Sequence, residues 1–226
     1  MTKPSIPAGS SQSVEDFLKA IYRLQRETDR VSTSELAEAL NISAPAVTDM
    51  AQRLVEDGTV DYLKYRGVRL TETGEQVALK MLRRHRLIEA YLVQDLGYQL
   101  HEVHEEAEAL EHTVSDRFVE AISLKLDNPS FDPHGDPIPD LEGVMPVRHL
   151  HPLSELDIHT PARIRRLVMD DPAMLHNTQE RGLEIGRTLE VVARDQFDGP
   201  IKVVVKPHNA QTIGFKMASF ILVEFL

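Results

Sequence analysis

The spacing of apolar residues changes several times along the chain, and each change marks an element. From Ser13 onward Val14, Phe17, Leu18, Ile21 and Tyr22 recur every three or four residues, which predicts a helix with one buried stripe and Ser13 as its cap. Leu36, Ala37 and Leu40 predict a short second helix over 34–40, and Asn41-Ile42-Ser43 predicts a tight turn. A third helix is predicted behind a Ser43 cap, with Pro45 in its first turn, where the missing N–H of proline does no harm. Val47, Met50, Ala51, Leu54 and Val55 form its expected inward face, and Gly58 ends it. Over 59–71 the period falls to two. Val60, Tyr62, Val68 and Leu70 lie either side of Arg66-Gly67 and predict a small hairpin.

Two helix-length segments come next, 72–96 stopped by Gly97 and 100–126. Neither is apolar on one narrow face, so each is expected to pack on the first domain and on a second subunit. The run NPSFDPHGDPIPDLEGVMP over 128–146 is too proline-rich for regular structure and reads as a linker or an extended bracing loop. Beyond it, β-type runs at 164–169, 188–193, 201–205 and 220–223, with one helical patch at 172–181, predict a small, mostly β barrel. The Ser/Pro/Gly-rich first ten residues are expected to be disordered.

Composition narrows the chemistry. No apolar run approaches the roughly 18 residues of a membrane span, and no basic-then-apolar leader pattern opens the chain, so a cytoplasmic protein with no membrane partner is expected. The chain has no cysteine, so a metal must be held by His, Asp and Glu, of which it has 10 His and 36 acidic residues. A net charge of -11 weighs against nucleic acid only if charge is spread evenly. It is not. Residues 60–86 carry Lys64, Arg66, Arg69, Lys80, Arg83, Arg84 and Arg86 against Asp61, Glu72 and Glu75.

Two short helices, a tight turn and a basic hairpin predict a winged helix-turn-helix. Its second helix enters the major groove and its hairpin lies over the backbone. Ser43, Pro45, Thr48, Gln52 and Arg53 are the positions able to reach DNA, with Arg66 at the hairpin tip and Lys64 beside it as phosphate contacts. Asp49 is discordant: it either accepts from a cytosine amino group or points away as a cap or ion-pair partner. Helical hairpins that bind nothing are the competing reading.

The segment HEVHEEAEALEH, 101–112, places His104, Glu108, Glu111 and His112 on one helical stripe. His85 and Glu89 lie four apart on the preceding helix, and facing helices build metal sites from such pairs. An all-nitrogen and oxygen donor set suits Mn(II) or Fe(II). The alternative is a solvated acidic face, the reading adopted for His101, Glu102, Glu105 and Glu106. Two functions compete: a metal-sensing DNA-binding protein, or a binuclear carboxylate-histidine oxidase or hydrolase. No nucleophile elbow or phosphate-binding glycine loop supports the enzyme.

The runs SVEDFLKAIYRL, SELAEALNISAPAVTDMAQRLVEDG, KYRGVRLTETGE, RRHRLIEAYL, VHEEAEALEH and HGDPIP, in this order, resemble the diphtheria toxin repressor family of metalloregulators, and RGLEIGRTLEVV resembles the SH3-like domain of its longer members. The resemblance implies a mainly α protein with small β elements in three parts. These are a winged helix-turn-helix domain over 1–73, a helical dimerisation and metal-binding domain over 74–146, and an SH3-like, iron-transport-A-like barrel over 147–226. It also implies a homodimeric repressor that binds a palindromic operator when charged with Fe(II) or Mn(II) and so controls metal homeostasis. Asp16, Glu108, Glu111 and His112 match the family's primary site. His85, Glu89 and His104 match its ancillary site, and Asp171 lies nearest the tail's acidic ligand position. Iron-responsive members carry Met and Cys where this chain has Asp16 and Glu108, whereas manganese-responsive members carry carboxylates there. Lys19 replaces a Glu of the two-domain manganese members, so their closely coupled metal pair is not implied.

Overall fold

Helices α1 (Gln12–Leu24), α2 (Thr33–Ala39) and α3 (Ala44–Glu56) begin the described chain, which in this computed structural model comprises residues 12–26, 28–169, 171–206 and 210–226. The first ten residues, expected to be disordered, lie outside the described residues. Because α1 already includes Gln12, Ser13 sits inside the first turn and is not its cap. Ser32 caps α2 in a reciprocal box: its Oγ accepts from Glu35 N at 3.1 Å, and the Glu35 carboxylate accepts from Ser32 N at 2.8 Å. Asn41, at φ 52°, closes the turn. Ser43 caps α3, accepting from Ala46 N, and Gly58 ends it at φ 71°.

Phe17, Leu18, Ile21, Leu36, Val47, Ala51 and Leu54 share one core with Val31, Val60 and Val68. Val55, expected inward, is 44% exposed, whereas Val47, Ala51 and Leu54 of α3 are buried and half-buried Met50 packs against the same core. Strands β1 (Val60–Leu63) and β2 (Gly67–Leu70) form the antiparallel hairpin, and Val31 pairs with Val68 beside it.

Helix α4 (Glu72–Leu96) stops at Gly97, φ 75°. The chain forms two compact units, and their boundary falls within this helix. One comprises the chain up to His85 with Pro139–Val144, the other Arg86–Ile138 with Met145–Leu226. In the first unit the strap returns to α4, with Arg83 Nη1 donating to Pro139 O at 3.0 Å.

In the second unit the segment expected as one helix is two, α5 (Val103–Glu111) and α6 (Asp116–Lys125). His112 is the C-cap of α5, and the Ser115 hydroxyl starts α6 by accepting from Phe118 N at 3.2 Å. Leu87, Ile88 and Leu92 pack with Val103, Ala107, Val119, Ile122 and Ile138. The proline-rich run has no helix or ladder here, only an isolated Phe131–Pro137 bridge, yet it is firmly held. Asp132 Oδ1 accepts from His134 N and Asp136 N, both at 2.9 Å. Buried Arg86 donates to Pro137 O and faces Asp132 and Asp136 at 3.5 Å each. Burial, and after it the charges of Asp136 and Glu89, pushes the Asp132 carboxyl well above its usual range.

Strands β3 (His151–Pro152), β4 (Pro161–Leu167), β5 (Thr188–Arg194), β6 (Ile201–Val205), β7 (Ala210–Ile213) and β8 (Ile221–Phe225) form an antiparallel sheet in the order β3-β8-β4-β5-β6-β7. Helices α7 (Pro172–Glu180) and α8 (Phe215–Ser219) complete this SH3-like domain. Its hydrogen bonding does not close into a ring among the described residues, which leaves β3 and β7 as edges. Alternation buries Ile201, Val203 and Val205 with Leu189, Val191, Ile164 and Val223, and Leu100 joins that core from ahead of α5. Arg166 of β4 also pairs with Asp136, so the sheet is fastened to the proline-rich run. Among the described residues no helix is long and apolar enough to cross a membrane.

Candidate metal centre and nucleic-acid interface

Within the second unit, the i, i+4 spacing on α5 sets His104 Nε2 3.8 Å from Glu108 Oε1. The other face of the same imidazole meets α4, with His104 Nδ1 3.4 Å from Glu89 Oε1. Glu89 is buried, and His85 stands one turn before it on the same face of α4 and is buried too. A second pair lies where α5 ends, with His112 Nε2 3.2 Å from Glu111 Oε1 and Glu111 0% exposed. Glu108, expected with the primary donors, is thus drawn to His104, its helical neighbour. Asp16 lies half-buried on α1, in the first unit, beside buried Lys19.

Carboxylate oxygens and imidazole nitrogens at 3.2–3.8 Å from one another supply hard and borderline donors with no sulfur. Such a donor set fits a divalent ion, whose charge would add to whatever balances carboxylates this buried. Asp171 is engaged elsewhere. That residue is the N-cap of α7, its Oδ1 accepting from Ala173 N at 2.8 Å and Met174 N at 3.2 Å, and it is exposed. The α7 side chains that do reach α5's approach are Gln179, whose Oε1 is 3.3 Å from His101 Nδ1, and His176, whose ring meets His101 edge-on with centroids 4.9 Å apart. His101, expected on a solvated surface, therefore has partners in the tail domain. The spacing of His176 and Gln179 is plain in the sequence, but nothing in the chain's order says which loop they face.

In the first unit, Pro45, Gln52 and Arg53 are exposed on one face of α3. Asp49 shares that face and is exposed as well, rather than turned inward. Ser43 is exposed but spends its hydroxyl on the cap, and half-buried Thr48 donates to Ala44 O at 3.1 Å. Lys64 and Arg66 stand exposed at the hairpin tip. Asp61 at the hairpin root is engaged by Arg30 and by Arg69 Nε at 3.1 Å, and the Arg30 hydrogen bond above all holds its carboxyl below the usual range. The basic tip is therefore not cancelled by the nearest acid. Between Lys64 and Arg66 stands Tyr65, 93% exposed, which periodicity gave no reason to single out.

Comparison with known proteins covers most of the chain. Three family models match: the iron dependent repressor N-terminal DNA binding domain over residues 10–68, the iron dependent repressor metal binding and dimerisation domain over 71–140, and the FeoA domain over 151–225. The iron-dependent repressor IdeR of Mycobacterium tuberculosis is 30% identical over 224 residues, covering 94% of this chain and 96% of its own. A solved manganese-dependent transcriptional repressor in complex with manganese is similar at a TM-score of 0.84 and 39% identity, covering 94% of this chain and 100% of that one. The manganese regulator SloR is similar at a TM-score of 0.71 and 34% identity, covering 94% of this chain and 98% of its own.

Proposed function

The chain belongs to the iron-dependent repressor family, a family of transcriptional repressors and not of enzymes, and on that premise we propose that it binds palindromic operator DNA as a homodimer when loaded with Mn(II) or Fe(II), acting in the cytoplasm to control metal homeostasis. The metalloenzyme reading has no support in that family and is dropped. One observation carries the proposal: α5 gathers Glu108, Glu111, His104 and His112 into close contact pairs, in a chain that also presents a basic wing.

Asp16, Glu108, Glu111 and His112 would hold the primary ion, and His85, Glu89 and His104 the ancillary one. Asp171, spent on its helix cap, is left out. Glu108 faces His104 and is the carboxylate able to serve either set. When bound, the ion would add positive charge beside the buried carboxylates Glu111 and Glu89. Asp16 belongs to α1 of the DNA-binding unit and Glu111 to α5, so the ion favours whichever relative arrangement lets both serve. If that arrangement suits the operator, metal and DNA raise each other's affinity by the same factor. On DNA, Pro45, Thr48, Gln52 and Arg53 face the major groove beside the Ser43 cap, while Lys64 and Arg66 take phosphates.

Manganese is the favoured co-repressor. Asp16 and Glu108 offer oxygen, and Mn(II), at the weak end of the divalent series, gains little from sulfur. Fe(II) should also activate, because affinity alone does not reject it. The test starts with duplexes selected from a randomised pool with Mn(II), and proceeds to titrations with Mn(II), with anaerobic Fe(II) and with chelator. Binding should require either metal, and Asp16→Met with Glu108→Cys should move the response away from Mn(II). Equal binding in chelator would overturn the sensor reading. A response to iron with none to saturating manganese would overturn the manganese assignment alone.

A further inference from the structure

The wing is pinned everywhere except its tip. At the root Val31 and Val68 exchange N–H···O bonds of 2.8 Å in both directions. Gly67, at φ 97°, lies so close to this bridge that a Cβ there would meet Val31 O at 2.3 Å. Asp61 is held by Arg30 and Arg69, and Arg30 Nη1 also donates to the Asp61 carbonyl at 3.1 Å. The hairpin is therefore a stiff stalk that fixes where its last three residues point.

Those residues are Lys64, Tyr65 and Arg66. Arg66 N donates to Leu63 O at 2.9 Å, which puts Lys64 and Tyr65 at the centre of the turn. Tyr65 has φ 67°, a left-handed conformation that glycine or asparagine adopts readily and a bulky side chain adopts at a penalty. Its ring is 93% exposed, with Lys64 Nζ 5.1 Å from the ring centroid. The tip thus carries a conformationally unfavourable residue whose apolar ring gains almost nothing by burial within this chain. Strain at an over-determined position points to function when a partner repays it.

We propose that Tyr65 is a base-reading residue of the wing, seated in the DNA minor groove while Lys64 and Arg66 grip the phosphates on its rims. This rests on the operator-binding reading above and goes beyond the phosphate contacts assigned there. The chemistry selects the partner. A flat ring flanked by two cations suits a slot with apolar sugar walls and anionic rims. The minor groove, about 6 Å wide, is such a slot. The phenol hydroxyl both donates and accepts. On an A·T floor it meets the acceptors N3 and O2. On a G·C floor the 2-amino group of guanine projects into the same space. The wing should therefore prefer A·T where it lands, outside the major-groove half-site.

The experiment uses the full-length, Mn(II)-loaded protein and duplexes selected from a pool with a randomised core. Three versions of the selected duplex are compared, with A·T, G·C or inosine·C at the flanking positions. Inosine removes only the 2-amino group and leaves the major groove as it was. The parent should bind the A·T and inosine·C versions alike and the G·C version roughly tenfold more weakly. Tyr65→Phe should retain most of the affinity and narrow that discrimination. Tyr65→Gly should lose roughly tenfold on the A·T version and bind all three alike, while its Tm is unchanged or higher because the left-handed strain is relieved. Opposite movement of Tm and affinity separates a lost contact from a damaged fold. Parent-like binding by Tyr65→Gly on all three duplexes would overturn the proposal and leave the repressor reading standing. A parent that selects no duplex with either metal would overturn both.

Discussion

Helices α3 and α5 both carry side chains assigned to a partner, and they are built in opposite ways. α3 is finished before any partner arrives. Ser43 caps it, Pro45 lies in its first turn, Gly58 ends it, and Val47, Ala51 and Leu54 anchor it to the core. Its outward residues Pro45, Gln52 and Arg53 stay in water. α5 has only nine residues, and Glu102 at its N-cap position makes no side-chain cap bond. Its last residue, Glu111, places a fully buried carboxylate at the end where the helix dipole disfavours negative charge. A surface that reads DNA can be rigid and complete in advance. A site for a cation instead gathers carboxylates and imidazoles where a helix is short and its end buried, so its local departures from an ideal helix mark its function.

The largest expected effect separates these two designs. Glu111→Gln keeps the shape of the side chain and removes its charge, and should abolish metal-dependent operator binding. It should also abolish the stabilisation by Mn(II), which for the parent amounts to about 2.7 kcal/mol at a hundredfold excess over Kd. Thermal unfolding with and without Mn(II) reads this, and a parent-like gain in the variant would break the comparison. Ser43→Ala should cost about 1 kcal/mol. Urea unfolding should give the same loss in chelator and in Mn(II), because the α3 cap involves no metal donor.

Arg66→Ala should weaken binding to every duplex by a similar factor and reduce the salt slope by about 1. Titrations at several salt concentrations would show this, and a changed order of duplex preference would show that Arg66 reads sequence. The smallest effect concerns pH. Arg30 and Arg69 depress the Asp61 carboxyl in the folded state, so its contribution is full above the unfolded value of 3.8 and is lost as pH falls through the lower folded value. Amide exchange at Val68 should be protected from neutral pH down to about 4 and lose protection only below it. Asp61→Asn should remove that pH dependence.

Periodic segments are legible in the sequence. Gly97 reads as the stop of α4, and the two-residue alternation as the hairpin, because each depends on local chemistry alone. The break between α5 and α6 is not legible. Leu110, Val114 and Phe118 keep four-residue spacing straight through it, and this masks the Ser115 cap. The metal stripe is visible because His104 and Glu108 are helical neighbours. Asp171 caps α7 through Oδ1, and an acid before a helix and an acid on a metal look alike in sequence. Arg86, Asp132 and Asp136 meet only through the path of the proline-rich run, which no periodicity encodes.

That meeting bears on modularity. Asp136 is clasped by Arg86 from one side and Arg166 from the other, His134 O accepts from Leu167 N at 2.8 Å, and Leu100 is buried in the core of the SH3-like sheet. The segment that sequence marks as a tether behaves as a mortise. Truncating this chain after residue 146 would leave buried Asp132 and half-buried Asp136 without Arg166 and lay Leu100 open to water. The SH3-like domain is therefore no detachable appendage, and a shortened descendant of this protein would first have to rewrite the residues beneath it.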